Sequence, residues 1–221
     1  IDENGKVQPP SHLNILSIDN SFGDMPKSCV CEPLPHLMKA LKEMPDEASP
    51  VVWVYQFDEY SGCENEFDAQ KMFFGDWFIR GAINNGFPLS TVVSSSNFCN
   101  QDKSIYSSSI LVSDIPKKGT LFEREIINYV ENKNRVIFYG NVQNASDKFK
   151  QLIGIKCTET PVSGELSISV FGKQCGKIKH TPLLCCGEIN TIANGCTEFA
   201  NVGKNTIAAY NGTAIWLRGT C

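Results

Sequence analysis

The stretch SILVSDIPKKGTLFEREIINYVENKNRVIFYG, from Ser109 to Gly140, decides the fold. Ser109-Ile-Leu-Val-Ser113 is a short run of aliphatic residues with no alternation of polar positions, as a strand buried on both faces requires. Thr120-Leu-Phe-Glu123 has the spacing of a capping box, in which a hydroxyl and a carboxylate satisfy the free N–H groups of a helix start. The helix that follows places Phe122, Ile126, Ile127 and Val130 on one face. Arg135-Val-Ile-Phe-Tyr139 is a second buried strand, stopped at Gly140. A strand, helix and strand in so short a span imply a right-handed crossover onto a parallel sheet.

The same alternation extends in both directions. Upstream, Val51-Val-Trp-Val-Tyr-Gln-Phe57 is a nearly continuous β-branched and aromatic run, expected as a central parallel strand. Before it, Pro33 to Met44 is expected as a helix burying Leu34, Leu37, Met38 and Leu41, which recur at i, i+3, i+4 and i+7. His12 to Ile18 is expected as a first short strand after a polar lead-in, residues 1–12. Asp58 to Phe67 is expected as a polar loop, with Asp68 capping a helix that runs to about Asn84 and ends at Gly86. Phe73 and Trp77, with Phe74 and Ile83, are expected as its buried stripe. Pro88 to Val93 is expected as a strand, Ser94 to Lys103 as a loop, and Ala145 to Ile153 as a short helix terminated by Gly154.

The pattern changes after Lys156. Glu165–Val170, Glu198–Val202, Thr206–Tyr210 and Ala214–Leu217 are short alternating runs, and Asn211-Gly212 is a hairpin turn because both residues tolerate positive φ. This half is expected to be antiparallel β, either a small appended domain or an extension of the parallel sheet. The expected organisation is an α/β domain over 13–156, with helices on both faces of a parallel sheet, and a smaller antiparallel β region over 157–221. No internal repeat or low-complexity segment interrupts it.

With 42% hydrophobic and 20% charged residues, the 221-residue chain has the composition of an ordinary soluble globular protein, and no apolar run approaches the ~18 to 20 residues of a membrane span. A net charge of -4 without a basic stripe argues against nucleic acid as a partner. The chain opens at Ile1 without signal-peptide features and stops at Cys221 directly after a strand-like run, so both ends read as cut and a fragment of a longer protein is expected. The ten cysteines are irregularly spaced; Cys29-x-Cys31 and the vicinal Cys185-Cys186 match neither zinc-ribbon pairs nor a regular disulfide framework. They read as reduced thiols of a cytosolic protein, although a secreted origin stays open. Asn144-Ala-Ser146 and Asn211-Gly-Thr213 match the glycosylation sequon, which matters only in a secreted eukaryotic protein.

Ligands of open parallel sheets collect beyond the carboxyl ends of the strands. The segments there are Asp58-Glu-Tyr60, Ser94-Ser-Ser-Asn97, Asp114-Ile-Pro-Lys117 and Gly140-Asn-Val-Gln143. Asp58 and Glu59 are the sharpest candidates, since carboxylates beside Tyr60 and Trp77 suit sugar hydroxyls or acid–base chemistry. Asn97 is a further candidate for ligand or domain-interface contact. The alternative reading is that the carboxylates only cap or solvate a loop. No Gly-rich phosphate motif is present, and Lys117-Lys118-Gly119 is at best a weak anion contact. Ser61-Gly-Cys63 is the nearest approach to a cysteine nucleophile, but only His12, His36 and His180 could serve as its base and none carries the required spacing. Neither a catalytic triad nor a histidine-based metal site is expected, and no cofactor.

The Ser109–Gly140 stretch, followed by Lys148-Phe-Lys-Gln-Leu-Ile-Gly-Ile155, resembles the class I glutamine-amidotransferase-like, flavodoxin-like domains found inside large bacterial glycoside hydrolases, including the β-galactosidase trimerisation type. The resemblance covers roughly residues 13 to 156. It implies a domain that follows a catalytic barrel, helps oligomerise or walls the active site, and precedes a β-sandwich. The amidotransferase G-x-C-x-G elbow and its His-x-Glu partner are missing, so no glutaminase residue carries over. The expectation is therefore a non-catalytic accessory domain of a larger carbohydrate-active enzyme, partnered by an upstream catalytic domain and in contact with carbohydrate. Its rivals are a stand-alone hydrolase or transferase using the sheet-edge carboxylates, and a homo-oligomerisation module presenting the Phe73 to Ile83 helix.

Overall fold

The computed structural model describes residues 1–9, 27–44, 46–63, 65–162, 164–170, 173–180 and 189–218. The strand expected over His12 to Ile18 and the Cys185-Cys186 pair lie outside them. The chain begins with helices α1 (Ser28–Cys31) and α2 (Pro33–Lys42), then alternates through β1 (Val51–Tyr55), α3 (Phe57–Ser61), α4 (Glu66–Asn84), β2 (Thr91–Ser94) and α5 (Ser95–Asn100). A 3-10 turn over Lys103–Tyr106 leads to β3 (Ile110–Asp114), α6 (Leu121–Glu131), β4 (Val136–Tyr139) and α7 (Asp147–Ile153). The remainder is β: β5 (Ile155–Val162), β6 (Gly164–Val170), β7 (Lys173–His180), β8 (Ile189–Ala193), β9 (Thr197–Val202), β10 (Asn205–Asn211) and β11 (Ala214–Leu217).

Nine of these strands form one sheet in the order β2-β1-β3-β4-β11-β10-β9-β6-β7, and β5 pairs with β8 in a second. The parallel half, β2-β1-β3-β4 followed by β11, reproduces the 2-1-3-4-5 order of flavodoxin-like sheets. The fold is α/β, with a parallel sheet continued by antiparallel strands. The fifth position is taken by the last described strand: β11 lies parallel to β4, with Trp216 opposite Phe138, and antiparallel to β10 across a turn of Gly212 and Thr213. That turn falls one residue later than the expected Asn211-Gly212, because Asn211 stays in β10 opposite Ala214 and Gly212 alone of the expected pair takes a positive φ. Ala214 and Trp216 belong to the main core, and Leu217 packs against two smaller apolar clusters.

The period of two along each strand assigns the faces. Val52 and Val54 of β1, Leu111 of β3 and Val136 and Phe138 of β4 point to one side, packed by Phe98 of α5, Phe122 and Ile126 of α6, and Phe149 of α7. Val51 and Trp53, Val112, Ile137 and Tyr139 point to the other, packed by Phe78 and Ile79 of α4. Helices therefore cover both faces. None among the described residues is long and apolar enough to cross a membrane.

Several local expectations change. Of the supposed buried stripe of α4, Phe73 is 54% and Trp77 49% exposed and Ile83 is also exposed, and the side chain of Phe74 lies outside the described residues, while Gly75 and Ile79 are buried and Phe78 is half-buried. The inner stripe mixes Lys71, Gly75, Phe78 and Ile79, so its small and charged members hide it from a hydrophobicity reading. Helix α4 starts earlier than expected, with Asn65 rather than Asp68 as its cap: the Asp68 backbone N–H donates to Asn65 Oδ1 at 2.9 Å. The apolar stripe of α2 is exposed at Leu34, Met38 and Leu41. Two expected loops contain the short helices α3 and α5, the latter capped by Ser94, whose hydroxyl accepts from Asn97 N–H. The capping box of α6 forms in a modified way: Thr120 Oγ1 accepts from Glu123 N–H, while the Glu123 carboxylate reaches back one residue further, to Gly119 N–H at 2.7 Å.

Gly154 closes α7 at φ +70°, and a Cβ there would lie 2.6 Å from Cys196 Cβ. Gly154→Ala is expected to cost more than about 1 kcal/mol, since left-handed strain and a backbone-adjacent clash act together. Gly81→Ala, inside α4 with open space around it, is expected to be neutral or to stabilise by about 0.5 kcal/mol. Urea midpoints of the two variants check this, and equal effects would contradict the packing at Gly154.

Candidate functional site

The segments that leave β1, β3 and β4 at their carboxyl ends enclose a cleft of about 280 Å³. In this strand order the chain turns to opposite sides of β1 to reach β2 and β3, and such a switch point opens a crevice between diverging loops. Tyr60 from the β1 side, Ile115 from the β3 side and Lys71 of α4 line it, together with Asn65 and Asp68 at the start of α4. Pro116, Lys117 and Lys118 supply one wall and Asn141, Asn144 and Ala145 another.

Behind this lining lies a buried ionic cluster. Asp114, the last residue of β3, is 2% exposed. Its Oδ2 accepts from the Tyr60 hydroxyl at 2.9 Å and lies 3.3 Å from Lys71 Nζ, which also donates to the Ile115 carbonyl. Burial raises the Asp114 carboxyl above its ordinary range, opposed by the Lys71 charge and the Tyr60 hydrogen bond. Burial, and then the Asp114 charge, push the Tyr60 phenol far above its own. Tyr60 is therefore a neutral donor. Gly140, at φ +111°, leaves room for this cluster, since a Cβ there would stand 3.2 Å from Asp114 Oδ1. Gln56, fully buried at the end of β1, donates to the carbonyls of Asp114 and Ile115 and ties the two strand ends together.

A second polar group lies on the α4 face of the sheet. Trp53 Nε1 donates to Tyr139 Oη at 3.0 Å, and the Tyr139 ring stacks on Phe78 with centroids 5.0 Å apart. Tyr55 donates to Asp76 Oδ2 at 3.2 Å; burial and the Asp76 charge push its phenol up to about 12.

Of the residues singled out from the sequence, Glu59 and Tyr60 reach the cleft. Glu59 Oε2 accepts from the buried Ser95 hydroxyl at 2.6 Å. Asp58 is exposed on α3, away from the cleft lining. Trp77 stands on the outer face of α4, where the Arg80 guanidinium lies 5.3 Å from its ring centre. Asn97 sits in α5 and donates to the Ile1 carbonyl at 3.2 Å. The carboxylates, Tyr60 and Trp77 are thus not gathered into one constellation. A lone lysine within a helix reads as a solvated charge, so the sequence does not point to Lys71; only the fold turns it toward Asp114. Cys63 lines the cleft, its thiol directed at the Asn65 carbonyl, and no histidine among the described residues lines it. Among the described residues no group of three or more His, Cys, Asp or Glu side chains is placed to hold a metal ion.

No protein-family model matches the sequence, and no curated protein matches it. Among solved structures, the chain is similar to the exo-β-1,4-mannosidase Op5Man5 from Opitutaceae bacterium strain TAV5, with 10% identity and a TM-score of 0.49. That likeness covers 87% of this chain and 34% of the mannosidase, so the chain spans about a third of that protein's length. It is also similar to a ThuA-like protein from Bacteroides uniformis, with 12% identity, a TM-score of 0.39 and coverage of 77% and 80% of the two chains.

Proposed function

We propose that this chain is a non-catalytic accessory domain of a larger bacterial carbohydrate-active enzyme, a glycoside hydrolase, whose cleft contacts sugar or the neighbouring catalytic domain. The observation that carries this reading is the commitment of the cleft's carboxylates. Glu59 is bound by Ser95, Asp68 lies 3.5 Å from Lys117 Nζ and accepts from Asn65, and Asp114 behind them is held by Lys71 and Tyr60. Glycoside hydrolysis by two carboxyl groups needs an acid and a base or nucleophile facing one another across the scissile bond. Cysteine catalysis needs a base beside the thiol. Neither arrangement is assembled here among the described residues. The exposed apolar side chains of α2 and α4, Met38 and Trp77 among them, support a role that includes contact with the rest of the protein.

The test is turnover. The purified chain incubated with a panel of aryl glycosides is expected to release no phenol above buffer. Release that Asp58→Asn or Glu59→Gln abolished would replace this reading with that of a self-contained hydrolase.

A further inference from the structure

We propose that the cleft at the β1/β3 switch point is a binding site for a neutral, hydroxyl-rich ligand the size of a single sugar ring. The proposal rests on the accessory reading and names the ligand class of that same site.

Charge decides against an ion. The lining contributes three ammonium groups, Lys71, Lys117 and Lys118, and two carboxylates, Glu59 and Asp68. Asp114 stands directly behind Lys71. Two of the ammonium groups are neutralised at short range by Asp114 and Asp68, at 3.3 and 3.5 Å. An anion entering the cleft would have to compete with those carboxylates, and a cation with those lysines. Net attraction for either is therefore small.

The polar capacity left over suits hydroxyl groups, each of which both donates and accepts. Asn144 makes no side-chain hydrogen bond among the described residues, so its amide offers a donor and an acceptor. Asn141 uses only its Oδ1, accepting from Gln143 N–H at 2.9 Å, which leaves its NH2 group to donate. Glu59 spends Oε2 on Ser95 and retains Oε1 as an acceptor. Ile115, Pro116 and Ala145 add an apolar surface for a C–H face. The lining is prearranged: Asn65 is fixed by its cap to α4 and Lys71 by Asp114 and the Ile115 carbonyl, so little side-chain ordering opposes binding. A volume of about 280 Å³ lies just below the ~300 Å³ at which pockets for larger, drug-sized ligands begin.

The experiment is a titration of the intact 15N-labelled chain with methyl glycosides of glucose, galactose and mannose, and separately with inorganic phosphate, followed by amide and side-chain shifts. At least one glycoside is expected to give saturable shifts at Tyr60, Ile115, Asn141 and Asn144, with a Kd near ~1 mM, and phosphate none there. Asn144→Ala and Glu59→Gln are each expected to weaken that binding about fivefold, the effect of one lost hydrogen bond, with the remaining spectrum unchanged. Absence of saturable shifts with every glycoside, tighter binding of phosphate in the cleft, or wild-type affinity in both variants would overturn the proposal. None of those results bears on the turnover assay, whereas hydrolysis of a bound glycoside would overturn the accessory reading and leave the binding site standing.

Discussion

Lys71→Met is expected to destabilise the protein by about 3–5 kcal/mol at neutral pH, the penalty of leaving a buried charge without its partner. The Asp114 carboxylate would keep the Tyr60 hydroxyl and the Ile115 backbone N–H as donors but no cation, in a position 2% exposed. The effect depends on pH in a definite direction. Burial holds the carboxyl of Asp114 above its ordinary pKa in the folded protein, and Lys71 limits that rise. Relative to the unfolded chain, folding therefore makes Asp114 easier to protonate. Its contribution is fully present below the unfolded-state pKa and is lost as pH rises through the higher folded-state value. Without Lys71 that value climbs further, so the deficit of Lys71→Met should shrink as the pH is lowered from about 7 toward about 5. Adding Asp114→Asn should restore most of the lost stability, because an amide carries no charge and its oxygen still accepts from Tyr60. Urea unfolding of both variants across that range checks the argument. A loss under about 1 kcal/mol, or a deficit independent of pH, would show that the ion pair does not hold this corner of the fold.

Trp216→Ala is expected to cost about 3–5 kcal/mol, and removal of β11 to abolish cooperative folding altogether. Trp216 is fully buried, packs in the main core with Phe138 and Ala214, and donates from Nε1 to the Gly140 carbonyl at 3.0 Å. Truncation to alanine leaves a large cavity and an orphaned acceptor at the end of β4. A chain stopped before Ala214 loses more, since the β4 edge, with Val136, Phe138 and Tyr139, is then uncovered. Such an edge is a template for aggregation. Circular dichroism and limited proteolysis of a chain ending at residue 213 provide the reading. If that piece unfolds cooperatively with near-wild-type stability, β11 is dispensable to the α/β core, contrary to expectation.

The elements readable from sequence are those whose signal is local and undiluted. β1, β3 and β4 are continuous apolar runs, and α6 carries both a regular stripe and its own cap, with Thr120 accepting from Glu123. Misreadings arise where polar and apolar residues trade their usual places. In α4 two large aromatics, Phe73 and Trp77, face outward while Lys71 and Gly75 face in, so the hydrophobic pattern points to the wrong side of the helix. In α5 a run of serines reads as loop, although Ser94 is its cap and Ser95 is buried against Glu59. For the candidate site, the segments Asp58–Tyr60, Asp114–Lys117 and Gly140–Gln143 are legible as strand-end loops, and the cleft draws on all three. The partner that gives Asp114 its setting is not legible, because Lys71 lies 43 residues away on a helix whose orientation the pattern misassigns.

Local propensity and periodicity thus suffice for the α/β class, the central strands and the parallel crossover between β3 and β4, because each depends on residues within one or two turns or strands of each other. The pairing of β11 with β4 does not follow from any such pattern. Ala214–Leu217 would suit an antiparallel hairpin or a parallel edge equally well, and the choice is made by the hydrogen-bonding edge of β4 and by the space beside Phe138 that Trp216 fills. The cleft has the same origin: Tyr60, Lys71 and Asp114 come from three elements, and only their convergence at the sheet's carboxyl edge turns ordinary residues into a buried ionic cluster.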